Sequence, residues 1–280
     1  MTATATTATT GPILLCVDDY ALHPLIDHAV LQLAGKGRIS ATSCMSTAPR
    51  WHTAAQDLKP LRPHLAVGLH FNLTESHGGL YHALGLKQAI AQTYLGRWRI
   101  DQWQAVWREQ LDAFEAAMGT PPDFIDGHQH VHQLPGVRQA LLQEITARYA
   151  AHERPWLRST IPAGRLWTYA KASIIAALGG WAATRLWRHA GLALNHGFAG
   201  VYGFDAPTPA AYRVQMQSWL RQVQPGSLIM CHPAAGVVEG DAIGQQRPRE
   251  CAYLLGDDFV ADLQAGSWHI HQGRLLPENQ

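Results

Sequence analysis

The sequence predicts an α/β protein whose core is a parallel, barrel-like β/α sheet of distorted TIM type. Short apolar runs rich in β-preferring residues alternate with helical patterns along the 280 residues. No repeat period and no linker rich in Pro, Gly or Ser divides the chain. Asp18, Asp19, His70, His128 and His232 all fall at or near the C-terminal ends of predicted strands, the edge where parallel α/β folds collect their active sites.

Residues 1–11 begin "MTATATTATT", with neither an apolar run nor a cationic start, and read as a disordered tail, not a signal peptide. "PILLCV" (12–17) is a short apolar run ended by two carboxylates, a buried strand. "LIDHAVLQLAGKG" (25–37) has helical spacing and a glycine stop. Further strands are expected at 38–45, 64–74, 122–128, 226–233 and 267–273. Helices are expected at 100–119, where Trp103 and Trp107 stand four apart on a packing face, and at 136–150. "GDDFVADLQAG" opens another helical pattern, with Asp257 and Asp258 read as its N-terminal cap. Residues 12–280 form one expected domain, with an inserted helical segment around 160–200.

Composition narrows the function. Hydrophobic residues make up 47% of the chain and the formal net charge is +1, so a large core is expected and a nucleic-acid partner is not. Cys16, Cys44, Cys231 and Cys251 form no C-x-x-C pair and read as free buried thiols in a reducing, cytoplasmic setting. The apolar stretch 169–194 is interrupted by Lys171, Arg185 and Arg188, leaving less than the roughly 20 residues a spanning helix needs. Aromatic and cationic residues alternate there, which keeps surface attachment to a membrane open.

The chemistry lies in four short stretches. In "CVDDYA" an apolar strand ends in Asp18 and Asp19; one carboxylate there suits a metal and the other the metal's water, although Asp also favours turns and caps. In "GLHFNLT" strand alternation puts His70 and Asn72 on one face. "DGHQHVHQLP" supplies His128, His130 and His132. His128, nearest the strand end, is the ligand candidate; His130 and His132 would orient it or touch substrate, and Asp126 would hold a free ring nitrogen. In "IMCHPA", His232 suits a proton donor to a leaving amine. Substrate contacts are expected from Tyr20, Asn72, His130, His132 and Phe198. Arg158 either binds a sugar oxygen or braces Asp18.

The ordered motifs "VDDYAL", "RISATSCM", "VGLHFNLT", "DGHQHVHQLP" and "IMCHPA" resemble the YdjC/ChbG family of carbohydrate deacetylases over residues 13 to about 235. The resemblance implies a barrel-like fold and hydrolytic removal of N-acetyl groups from sugars such as chitooligosaccharides. It implies one divalent ion on Asp19, His70 and His128, with Asp18 as base and His232 as acid. The family is described with Mg2+, whereas two imidazoles and a carboxylate suit Zn2+, so the ion stays open between them. The implied substrate is a small carbohydrate or, on a hopanoid-biosynthesis branch, a glycolipid; a homodimer also stays open. Where the family reads Asp-Asp-Phe-Gly, this chain has Tyr20 and Ala21, and alanine enters the left-handed region less readily than glycine. A phosphoesterase using two or three metals, and a sugar-binding homologue without activity, are the competing readings.

Overall fold

A computed structural model describes residues 11–76, 83–164 and 170–272. Its sheet is parallel throughout. The strands are β1 (Gly11–Tyr20), β2 (Ala41–Cys44), β3 (Ala66–Phe71), β4 (Phe124–Gly127), β5 (Trp156–Leu157), β6 (Gly197–Ala199), β7 (Ser227–Cys231) and β8 (Trp268–Ile270). They lie in the order β5-β4-β3-β2-β1-β7-β6, and β8 pairs with the start of β1. Isolated parallel bridges, Leu157 to Leu194 and Pro162 to Phe198, link the β5 and β6 ends, so the sheet curls into a distorted barrel. This is the α/β class the alternating sequence pattern predicts.

The period of two along each strand sorts the side chains. Ile13, Leu15 and Val17 of β1 face the helices, within the large outer cluster. Leu14 and Cys16 face the barrel interior, with Ala41, Ala66, Phe124, Leu228 and Met230. The interior has little room at its base. A Cβ on Gly68 would stand 2.5 Å from the Phe124 ring, which itself stacks on Trp156 at 4.5 Å.

The helices cover the outside. They are α1 (Pro24–Gly35), α2 (Trp51–Leu58), α3 (Leu86–Tyr94), α4 (Ile100–Met118), α5 (Val137–Arg148), α6 (Ala170–Ile175), α7 (Trp181–His189), α8 (Pro209–Leu220), α9 (Arg247–Leu255) and α10 (Asp257–Ala265). The α4 face shows the expected packing: Trp103, Trp107, Leu111 and Phe114 are buried, and Trp107 stacks on Phe71 with centroids 3.5 Å apart.

Several boundaries differ from the sequence reading. Residues 1–10 of the expected tail lie outside the described residues, and Gly11 already belongs to β1. The expected strand 38–45 shortens to four residues, and just before it the Ser40 side-chain oxygen, in place of a backbone carbonyl, accepts from Leu15 N–H of β1 at 3.2 Å. Asp257 and Asp258 do not cap α10: Gly256 holds the cap position and the two carboxylates occupy the first turn, where they favour the helix dipole. The apolar stretch near 160–200 contains α6, a π-turn over Ala176–Gly180 and α7, and forms the crossover between β5 and β6.

Candidate active site at the carboxyl ends of the strands

Interior parity carries the chemistry. Following Leu14 and Cys16, the next interior position of β1 is Asp18. On β2 it is Ser43, on β3 His70, on β4 Asp126, and just past β7 His232. In register, His70 stands beside Asp126. Residues distributed over more than two hundred positions therefore share one rim.

Asp19 has the wrong parity for this rim, yet it faces it. The β1–β2 register breaks between Val17 and Tyr20, and Asp19 has φ 70°. This bulge turns a second consecutive carboxylate inward. Ala21, at φ 73°, repeats the left-handed conformation, a strain worth about 1–2 kcal/mol for a non-glycine residue. Asp27 steadies this turn by accepting from Ala21 N–H at 2.7 Å.

Asp19, His70 and His128 meet. Donor atoms of the three lie within 4.8 Å of one another. Asp19 Oδ1 is 3.0 Å from His128 Nδ1 and 3.4 Å from His70 Nε2. His70 Nδ1 is held by Asp126 Oδ1 at 2.7 Å and by Ser43 Oγ at 2.5 Å, which fixes the ring and directs Nε2 at Asp19. Burial pulls the His70 pKa down, but Asp126, Asp19 and Asp18 outweigh it and raise it to about 10. Burial lifts the Asp19 carboxyl, yet Arg247 and His128 hold it well below the carboxylate range. Two imidazole nitrogens crowd one buried carboxylate oxygen, and His70 and Asp19 are hydrogen-bonded on their far sides, an arrangement that suits a divalent cation. These residues fit the ion.

Beside them lies a second cluster, Cys16, Asp18 and Asp126, also within 4.8 Å. A guanidinium fills it. Arg158 is fully buried, donates to both oxygens of Asp18 at 2.7 Å, and lies 2.5 Å from Asp126 and 3.0 Å from the Cys16 sulfur. Burial raises the Asp18 pKa, but Arg158 holds it far below the usual range, with His70 and His232 contributing. Of the two readings of Arg158, the structure shows the brace of Asp18.

His232 Nε2 stands 3.9 Å from Asp18 Oδ2, and its backbone N–H donates to Glu250 at 2.7 Å. Its ring packs edge-on against Phe204, 5.2 Å away. The site opens into a cavity of about 680 Å3, lined by Asp18, Asp19, His70, His128, His130 and His232 among others. His130 reaches it from a 3-10 turn over His128–Gln133, in which Gln129 and His130 have positive φ.

The remaining expected substrate contacts do not line this cavity. Tyr20 is buried under α2 and donates to Ala54 O at 2.8 Å. Asn72 caps its own loop, accepting from Thr74 and Glu75 N–H. His132 is buried, stacked on Trp187 at 5.8 Å, with Nε2 3.1 Å from Arg158 O. Phe198 is buried in the interior cluster beneath His130. Each is a packing or positioning residue. Alternation put Asn72 on the face of His70 but did not give the depth of the rim.

Arg247 was missed by sequence reasoning. It starts α9, binds Asp19 Oδ2 at 2.7 Å and Asp241 at 2.5 Å, and is 2% exposed. An arginine beside a proline in "QQRPRE" announces a helix start and nothing more. Glu75, 3.4 Å from His128 Nε2, was missed for the same reason: its loop gives no periodic signal.

A curled parallel β/α barrel with an Asp-His-His cluster and a braced second Asp at its carboxyl rim belongs to the class of barrel folds that carry their active sites at the strand ends. The profile of the YdjC-like protein family matches residues 12–265, and the chain belongs to that family. A chitooligosaccharide deacetylase of Proteus mirabilis is 30% identical over 43% of this chain and 49% of its own. A carbohydrate deacetylase of Mus musculus is 26% identical over 48% and 47%. The chain thus spans about half the length of the curated relatives it matches. Among solved structures, a protein of Enterococcus faecalis V583 provisionally named for cellobiose-phosphate cleavage superposes with a TM-score of 0.64 at 16% identity, covering 93% of this chain and 97% of that one, and shares the fold.

Proposed function

We propose that this protein is a metal-dependent carbohydrate N-deacetylase, a hydrolase that releases acetate and a free amine from an N-acetylated amino sugar. The observation that carries the reading is the convergence of Asp19, His70 and His128 beside an ionised, braced Asp18. The names of the curated relatives support the reaction class.

Asp19, His70 and His128 would hold a divalent cation, which would supply Lewis-acid polarisation and lower the pKa of water towards roughly 7. Asp18 takes the proton of the attacking water. Arg158 keeps it anionic over the working pH range and fixes both oxygens, trading basicity for constant readiness. His232, across from Asp18, gives a proton to the departing amine. Asp126 and Ser43 hold His70 in the tautomer that leaves Nε2 toward Asp19.

The donor set of two imidazoles and one carboxylate favours zinc over magnesium. Arg158 argues against the multinuclear phosphoesterase, since its cation already fills the Cys16-Asp18-Asp126 cluster. The four cysteines are free and buried, which supports a reducing cytoplasmic setting. Among the described residues no helix is long and apolar enough to cross a membrane.

A second substrate reading rests on the cavity wall. Leu22, Leu86, Ile90, Ile175, Leu178 and Val201 line it together with the charged residues. Such a wall favours a sugar carrying an apolar aglycone, that is, a glycolipid, over a free oligosaccharide. Acetate release from N-acetylglucosamine oligomers and from an alkyl N-acetylglucosaminide, each with and without chelator, tests both readings. Asp18→Asn retains bound zinc and loses nearly all turnover. Full turnover in this variant, or turnover indifferent to chelator, removes the mechanism.

A further inference from the structure

We propose that the cavity mouth docks on an anionic phospholipid bilayer through the α3 and α6–α7 side of its rim. The two segments flank the 128–133 turn, and Leu86, Ile90, Ile175 and Leu178 from them line the cavity. Next to these lining residues the same helices turn large apolar side chains to solvent. Ile174 is 59% and Trp181 44% exposed, and Leu86 is exposed while lining the mouth. Arg185 and Arg188 continue the exposed face of α7 beyond Trp181.

Charge decides the partner. Between Glu153 and Asp205 the sequence has no carboxylate, and none stands between Glu75 and Asp101. Neither segment carries a carboxylate of its own, and their cations include Lys87, Lys171, Arg185 and Arg188. The carboxylates Glu239, which is exposed, and Asp241 line the cavity from a different segment of the chain. An exposed tryptophan between aliphatic and arginine side chains matches the headgroup boundary, where the indole sits with its polar edge wet and arginines reach phosphates. The apolar path runs on from Ile174 past Ile175 and Leu178 into the cavity, a continuity a lipid phase exploits. The helices lie on the membrane; α6 and α7 are far too short to span it.

The test is flotation of the full chain with vesicles of phosphatidylcholine, with and without phosphatidylglycerol, at physiological ionic strength. It reads no turnover, so failure of the deacetylase assignment leaves it intact. The wild type floats with phosphatidylglycerol vesicles and not with phosphatidylcholine alone, and added salt weakens it. Arg185→Glu/Arg188→Glu and Ile174→Ser/Trp181→Ser each lower partitioning by at least ~10-fold, with thermal unfolding unchanged because all four side chains are exposed. Val214→Ser, an exposed apolar site on α8 outside the cavity wall, changes nothing. Absence of wild-type flotation, equal flotation on the two vesicle types, an effect of Val214→Ser equal to that of the rim variants, or full flotation of either rim double variant overturns the proposal.

Discussion

Arg158→Met puts the buried charge network to a quantitative test. The guanidinium is fully buried, makes two 2.7 Å hydrogen bonds to Asp18, and lies 2.5 Å from Asp126. Those carboxylates are 1% and 0% exposed, so removal of Arg158 leaves two buried negative charges without their cation. Removing one partner of a buried ion pair costs about 3–5 kcal/mol. The sign of the pH dependence follows from Asp18. In the wild type burial raises its pKa and Arg158 more than reverses the effect. In the variant only His70 and His232 still oppose burial, the Asp18 pKa rises, and the folded state takes up a proton that the unfolded chain does not bind until about pH 4. The variant's deficit therefore narrows as pH falls, by up to ~1.4 kcal/mol per unit while one proton is being bound. Urea unfolding of both proteins from about pH 8 to about pH 5 measures it. A deficit below about 1 kcal/mol near pH 8, or one that widens on acidification, refutes the assigned role of Arg158.

His132 predicts a second pH effect. Burial against Trp187 lowers its pKa to about 4, against 6.5 for an exposed imidazole. Between these values the unfolded chain binds the extra proton, so stability declines as pH falls from about 6.5 to about 4, by roughly 3 kcal/mol at most. His132→Phe flattens that slope by close to one proton in the same unfolding series; an unchanged slope excludes His132 as its source. Gly68→Ala brings a methyl to 2.5 Å from the Phe124 ring and should lower stability by about 1–3 kcal/mol or more, read from denaturation midpoints. Added Zn2+ should raise the melting temperature of wild type and of Asp18→Asn but not of Asp19→Asn. The gain is about 2.7 kcal/mol at a hundredfold excess over Kd, and equal shifts in all three proteins would displace Asp19 from the metal site.

Much of the site was legible in the residues. Apolar runs ending in Asp18–Asp19, His70, His128 and His232 mark strand ends, and parity along a strand is a local property that needs no tertiary information. The large core, the packing face of α4 and the free buried thiols followed from composition and period alike. What only the tertiary structure decided was which of those side chains reach the cavity. Strand length and barrel taper set depth, and they bury Tyr20, His132 and Phe198 while leaving His130 at the wall. The inward turn of Asp19 required the β1 bulge, a register effect between two strands. The Arg158 and Arg247 clamps join positions 140 and 228 residues apart. An arginine's partner is chosen by where the chain folds back, because an ion pair depends on distance in space and leaves no period in the sequence.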